Sequence, residues 1–202
     1  TVEDTDIGAR VGLRWPKGPF EMINRFGIKT AGDLVGQFGG GWDIPVPGDL
    51  SLQWRANTPY AFALVKSETK DGIATLTVNR PDAMNALNET VVSQLQSAFK
   101  KAAADPKVKG IVIAGSGKAF IAGADIRFFV RNIQSGDLQR IVDFTKAGHA
   151  LLKDIDTCAK PVVARLHGLA LGGGLELAQA CDVLIATPRA SFAFPETGIG
   201  IY

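Results

Sequence analysis

The sequence predicts an α/β fold from about residue 65 onward, and three observations carry that prediction. Short apolar runs alternate with longer segments whose apolar residues recur at helical spacing. Two of the runs, Gly110–Ala114 and Pro161–Leu166, are largely apolar, as in strands buried on both faces. Each such strand is followed by a glycine-bearing loop, and Leu166–Leu177 carries three consecutive glycines, Gly172-Gly173-Gly174.

Before that domain, residues 1–43 read as a small helical unit and residues 44–65 as a linker. Asp6–Leu13 has spaced apolar residues, and Trp15-Pro16-Lys17-Gly18-Pro19 turns the chain. Pro19 suits the first turn of a helix over Phe20–Arg25, with Gly27 as its C-cap. A second short helix is expected over Thr30–Phe38, started by Thr30 or Asp33 and ended by Gly39-Gly40-Gly41. The unit is too small to bury a good core alone. Ile44–Asp49, with two prolines, is expected to be extended, and Pro59 adds a break.

Residues 66–202 then alternate. Ile73–Asn79 alternates like a half-buried strand, and Arg80-Pro81-Asp82 breaks it. Asn88–Ala104 is helical by the spacing of Val91, Val92, Leu95, Phe99 and Ala102, and Asp105-Pro106 stops it. After the Gly110–Ala114 strand, Gly115–Lys118 turns the chain, Phe120–Asp125 reads as a loop, and Ile126–Asn132 as a short helix. Leu138–Ile155 is a longer helix with an apolar stripe. Pro161–Leu166 leads into the glycine stretch, Gly174–Cys181 is helical, and Val183–Ala186 and Ser191–Phe194 are strand-like.

Composition narrows the function. With 46% hydrophobic and 21% charged residues the chain has the make-up of a globular domain. A formal net charge of +2 argues against a nucleic-acid partner. Two histidines argue against a histidine-rich metal site, and Cys158 and Cys181 lack Cys-x-x-Cys spacing. Unpaired thiols fit a reducing, cytoplasmic setting. No apolar run reaches membrane-spanning length.

Two loops can carry chemistry: Lys118–Ile126 and the glycine stretch. Each follows a buried strand and precedes a helix, so both belong at one edge of the sheet, where ligands bind. Together they can present two backbone N–H groups to one oxygen, an oxyanion hole whose donors are each worth roughly 3 kcal/mol in a transition state. The helix after the glycines puts its positive dipole end behind that loop. Two carboxylates accompany it: Glu176 directly after the glycines, and Glu196 in Phe194-Pro195-Glu196, among the apolar Phe192, Phe194 and Ile199. An apolar setting raises a carboxyl pKa, and a paired acid and base suits addition or removal of water. Ser116 lacks a Gly-x-Ser-x-Gly setting, so a serine hydrolase is disfavoured. His167 reads as a satisfied, partly buried side chain, while Arg127 and Lys118 are open to either an anionic ligand or solvent.

These residues resemble a known family. Asn79–Leu87, Ala119–Ile126, His167–Ala178, Cys181-Asp182 and Phe194-Pro195-Glu196 match, in order and spacing, the crotonase (enoyl-CoA hydratase/isomerase) superfamily. The resemblance covers about residues 66–202. It implies a crotonase fold, β-β-α turns wound into a right-handed superhelix, here with a helical piece before it and without the helices that follow Gly200 in the family. It implies that the Ala124 and Gly173 N–H groups form the oxyanion hole. It further implies that Ala83, Met84, Ala86, Leu87, Ala122, Asp125, Ile126, Arg127 and Gly172 line the acyl-CoA site. Both family glutamates are present as Glu176 and Glu196, which favours an enoyl-CoA hydratase with Glu176 activating water and Glu196 protonating C2. No metal or redox cofactor is implied for hydration. The alternatives are an enoyl-CoA isomerase or other crotonase-type lyase, or a non-catalytic acyl-CoA- or RNA-binding scaffold.

Gly12–Glu21 resembles the C-terminal domain of 3-hydroxyacyl-CoA dehydrogenases. That implies a bifunctional β-oxidation chain, dehydrogenase first and hydratase second, of which residues 1–43 are a remnant. No Gly-x-Gly-x-x-Gly follows a strand here, so NAD is expected only for the dehydrogenase portion. The chain starts without Met and stops in mid-pattern, which reads as a piece of a longer protein, assembled as a homo-oligomer built on trimers as in the family. The absent helices should leave apolar surface exposed.

Overall fold

In the computed structural model, residues 1–42 and 48–199 are described, and they divide into two units, 1–63 and 64–202.

The first unit is helical. Helix α1 (Val2–Gly12) opens with a capping box: the Thr1 hydroxyl accepts from the Asp4 N–H while the Asp4 carboxylate reaches back to residue 1. Asp6, buried on α1, starts the next helix, α2 (Pro19–Phe26), by accepting from the Phe20 and Glu21 N–H groups at 2.8 Å each. Gly18 is required there, because a Cβ would overlap the Asp6 side chain. Helices α3 (Ile28–Trp42) and α4 (Gly48–Ala56) follow. A small apolar cluster gathers Ile28 and Tyr60 with Phe20, Ile23, Val35 and Trp54.

Three expectations for this region differ from the structure. Helix α3 runs through Gly39-Gly40-Gly41 to Trp42, since each glycine costs a helix only about 1 kcal/mol and none of them forces a stop. Residues 48–56, inside the stretch read as a linker, are helical; Leu, Gln, Arg and Ala outweigh the prolines that precede them. The extended conformation expected at Ile44–Asp49 falls mostly on residues 43–47, outside the described residues.

The second unit is a spiral of strands laid into two sheets. Strands β1 (Val65–Lys70) and β2 (Ile73–Val78) form an antiparallel hairpin through Asp71-Gly72, both at positive φ. The following strands are β3 (Gly110–Gly115), β4 (Ala119–Ala122), β5 (Val162–Leu166), β6 (Leu169–Leu171), β7 (Val183–Ala186) and β8 (Ser191–Ala193). One sheet has the order β1-β2-β3-β5-β7 and the other β4-β6-β8, all parallel except β1 with β2. From β3 onward each turn of the spiral therefore gives one strand to each sheet. Phe120–Asp125, expected as a loop, begins as strand β4, three of whose four residues are buried. The glycine stretch likewise contains strand β6.

Helices α5 (Glu89–Ala104), α6 (Ile126–Ser135), α7 (Leu138–Asp156) and α8 (Gly173–Gln179) complete the unit. Asn88, Asp125 and Asp137 cap the first three through their side chains. Ala74, Leu76 and Val78 point to one face of β2 and share the core with Val91, Val92, Leu95 and Phe99 of α5. The core continues through Ile113, Phe120, Ile121, Leu151, Ile155 and Leu166. At the end of the spiral, Val183, Leu184 and Ile185 of β7 and Phe192 of β8 stand 43–58% exposed. Among the described residues no helix is long and apolar enough to cross a membrane.

Candidate active site

The turns of the second sheet stack tightly, and glycine permits it. A Cβ at Gly168 would overlap the Lys118 carbonyl, and one at Gly174 would overlap the Ile121 carbonyl. These contacts bring the start of β6 and the start of α8 against β4. The pairing Ala122↔Leu171 then sets the register. Two residues beyond each partner lie Ala124 and Gly173, at matched positions just past the ends of neighbouring strands.

The direction of both N–H groups follows from the backbone. In a trans peptide the N–H points opposite to the C=O. The Gly123 carbonyl accepts from the Leu87 N–H at 2.8 Å, so the Ala124 N–H points away from Leu87. The Gly172 carbonyl accepts from Leu175 and Glu176, inside α8, so the Gly173 N–H points out of the helix. It is also the first N–H of that helix, where no intrahelical acceptor exists.

Two carboxylates approach the same Gly172–Gly173 pair. Glu176 lies in the first turn of α8, exposed, with Oε2 3.8 Å from where a Cβ of Gly173 would sit. Leu87 Cδ1 comes to the same distance. Glu196 comes from the 3₁₀ turn Pro195–Ile199 after β8. Its Oε1 occupies the space a Cβ of Gly172 would need, and Gly172 holds φ +46°. Strand pairing carries it there: the Gly172 N–H donates to the Ala193 carbonyl at 2.9 Å. Glu196 Oε2 is buried and has no hydrogen-bond partner among the described residues. The apolar enclosure expected around Glu196 is open on one side, because Phe192 and Phe194 are 48% and 39% exposed at the end of the spiral.

The remaining candidates divide. Ala83, Met84, Ala86 and Leu87 lie on the segment that runs beside Gly123–Asp125, joined by the Ala122 N–H to the Met84 carbonyl and the isolated bridge Leu87↔Ala124. Asp125 is buried, and its carboxylate pairs with Arg80 and accepts from the Arg127 N–H. Ile126 and Arg127 are exposed on the first turn of α6. Lys118 is exposed, and His167 Nε2 lies 3.0 Å from the Gly117 carbonyl, as a satisfied histidine would.

Two residues of the site were not singled out from sequence. Asn85 is fully buried at φ +59° and accepts from the Arg80 N–H. Its Nδ2 donates to the Ser116, Ala119 and Phe120 carbonyls at 2.8–3.2 Å. Arg80 holds Asp125. The visible signal was an Asn after a Pro-broken strand, a residue type that tolerates positive φ.

A family model described as enoyl-CoA hydratase/isomerase matches residues 73–202. A crotonyl-CoA hydratase of Syntrophomonas wolfei is 40% identical over 142 residues, covering 70% of this chain and 53% of that protein. An Arabidopsis thaliana protein named as a probable 3-hydroxyisobutyryl-CoA hydrolase is 41% identical over 135 residues, 67% of this chain and 36% of its own. The crystal structure of an enoyl-CoA hydratase from Mycobacterium avium subsp. paratuberculosis superposes with TM-score 0.59 at 33% identity, covering 69% of this chain and 51% of the other. The chain thus spans about half the length of the hydratases it matches.

Proposed function

The chain belongs to the enoyl-CoA hydratase/isomerase family, and on that premise we propose that it carries the site of an enoyl-CoA hydratase. The reaction is reversible syn addition of water to a trans-2-enoyl-CoA, giving a 3-hydroxyacyl-CoA. The observation that supports it best is the placement of Glu176 and Glu196 against consecutive glycines, Gly173 and Gly172. In this reading the Ala124 and Gly173 N–H groups bind the thioester carbonyl oxygen and hold the negative charge that develops as water attacks C3. Glu176 takes a proton from that water, and Glu196 delivers one to C2. The two carboxyl groups act as a coupled pair, so their proton is shared over the cycle. Ala83, Met84, Ala86, Leu87, Ala122, Asp125, Ile126, Arg127 and Gly172 line the acyl-CoA cleft. The hydration itself uses no metal or redox cofactor.

The test is hydration of crotonyl-CoA by the full-length protein, followed by loss of the conjugated enoyl absorbance. Loss of absorbance with formation of 3-hydroxybutyryl-CoA is the expected result. Unchanged absorbance overturns it. Release of free CoA thiol would instead favour a thioester hydrolase, the activity named for the Arabidopsis relative, and migration of the double bond would favour an isomerase.

Residues 1–43 lie outside the family match, and for them we propose a remnant of a 3-hydroxyacyl-CoA dehydrogenase fused ahead of the hydratase. The support is the Gly12–Glu21 resemblance. NAD reduction by the full-length protein on 3-hydroxyacyl-CoA is expected, and its absence overturns the fusion. We further place the protein in the cytoplasm, on the unpaired thiols of Cys158 and Cys181, and assembled in trimers, which light scattering on the full-length protein would check.

A further inference from the structure

We infer that Arg80 is a positioning residue for the Ala124 N–H, acting through Asp125; the inference rests on the oxyanion reading above. Arg80 is an ordinary loop arginine by sequence, yet its side chain is only 20% exposed and Asp125's only 11%. Its guanidinium reaches two places at once: Nη2 lies 2.7 Å from Asp125 Oδ2, and Nη1 donates to the Ala86 carbonyl at 3.1 Å. Its own backbone N–H is held by Asn85 Oδ1. Asp125 is equally committed. Its N–H donates to the Leu87 carbonyl at 2.8 Å, and its Oδ1 accepts from the Arg127 N–H at 3.1 Å, capping α6.

Ala124 sits in the middle of this frame. Gly123 before it is held through its carbonyl by Leu87, and Asp125 after it is held by Leu87, Arg80 and the α6 cap. Gly123 lies at φ +82°, a conformation glycine adopts without strain. The Asp125 side adds an ion pair and a helix cap. A largely buried ion pair is weak evidence for stability, because apolar residues of like volume do as well. What an apolar pair cannot do is fix direction, and the forked guanidinium fixes Asp125 relative to Ala86 in a way a single point charge does not. Leu87 and Ala86 thus become the ruler against which the Ala124 peptide is set.

The experiment compares Arg80→Met, Arg80→Lys and Asp125→Asn with the unsubstituted full-length protein. Two readouts are used: kcat and KM for crotonyl-CoA, and the red shift of a bound conjugated dienoyl-CoA, which reports polarisation of the thioester carbonyl without turnover. Arg80→Met is expected to lower kcat by about 10- to 100-fold, the scale of a donor displaced by part of an ångström, with KM changed less than about 3-fold, and to lose most of the red shift. Arg80→Lys keeps the charge but not the fork, and is expected to recover part of both. Asp125→Asn should follow Arg80→Met. A red shift and kcat both retained in Arg80→Met overturn this inference alone. Should Arg80→Met fail to fold, Arg80→Lys with an unchanged red shift overturns it. No red shift in the unsubstituted protein overturns the oxyanion reading and this inference with it.

Discussion

Oε1 of Glu196 lies in the space that a Cβ of Gly172 would fill. The glycine is therefore what lets a carboxylate arriving from beyond β8 rest directly on the backbone at the start of α8. Gly172→Ala must move Glu196 and also strain a residue held at φ +46°, ψ −127°. It should cost about 1–3 kcal/mol of stability and abolish most hydration. Gly173→Ala is the contrast, since its added Cβ meets only ordinary contacts at 3.8 Å. It should fold with nearly unchanged stability, and thermal unfolding of the two variants side by side checks the difference.

Glu176 and Glu196 should separate activity from stability. Glu176 is exposed, so Glu176→Gln should change stability by less than about 0.5 kcal/mol. Loss of an acid–base group should lower kcat by about 10²- to 10⁴-fold. Glu196→Gln should lower kcat over the same range. Steady-state kinetics with crotonyl-CoA, beside circular dichroism of each variant, measures both; near-wild-type kcat in either would remove that carboxylate from the mechanism.

How much of this was legible in the residues follows from the range of the forces involved. Apolar runs announce strands whether or not the strand ends up covered, so β3, β5 and the exposed β7 were found, and helical spacing found α5 and α7. Strand β1 was missed although Asp71-Gly72 is a hairpin signal, because Lys66-Ser67-Glu68-Thr69 offers no apolar alternation; its strand character comes from pairing with β2. Strands β4 and β6, four and three residues long, are defined by lateral partners rather than by their own pattern. The glycines and Glu176 were legible because they are adjacent in sequence. The clamp of Arg80 on Asp125, 45 positions apart, and Asn85 on three carbonyls some 30 residues on, are properties of the fold alone.

Cys181 should be inert to thiol reagents while the fold lasts. Burial, with Asp182 nearby, pushes its pKa up to about 12, and its Sγ lies 3.4 Å from the Leu177 carbonyl. At pH 8 its thiolate fraction is on the order of 10⁻⁴, so labelling should reach Cys158 first and Cys181 only on unfolding. The sign of the linkage follows. The folded pKa lies above the unfolded one, so this contribution is whole below about pH 8.5 and is lost as pH rises from there toward 12. Cys181→Ala should flatten that alkaline limb in a stability–pH series.

Glu89 predicts the opposite limb. The Arg140 guanidinium bonds both its oxygens, at 2.7 and 2.6 Å, and holds the carboxyl below its ordinary value. A lowered folded pKa stabilises above the unfolded value, about 4.3, and that part is lost as pH falls through the folded one. The pair joins the first turn of α5 to the first turn of α7, and Arg140 also lies 5.9 Å from the Phe128 ring of α6. Glu89→Gln should reduce the loss of stability between about pH 5 and pH 3. High salt should shrink the difference, because the pair is partly exposed.

Asn85 provides the sharpest test of how the loops are held together. Only one orientation of its amide fits, with Nδ2 towards three carbonyls and Oδ1 towards the Arg80 N–H. Asn85→Ala removes those bonds from a fully buried position and leaves several backbone groups without partners, at about 1–3 kcal/mol for each buried group left unpaired. It also places alanine at φ +59°, which disfavours a residue with no polar side chain to bond locally. Asn85→Asp is nearly the same shape but should be worse than alanine, because a carboxylate oxygen would face three carbonyl oxygens where a donor stood. Its deficit should shrink on acidification, as the carboxyl takes up a proton and can donate again. Unfolding midpoints for the two variants at neutral and acid pH check the order. Equal stability of Asn85→Asp and the parent at neutral pH would mean that Asn85 does not hold the Ser116–Phe120 turn against the Arg80–Leu87 segment.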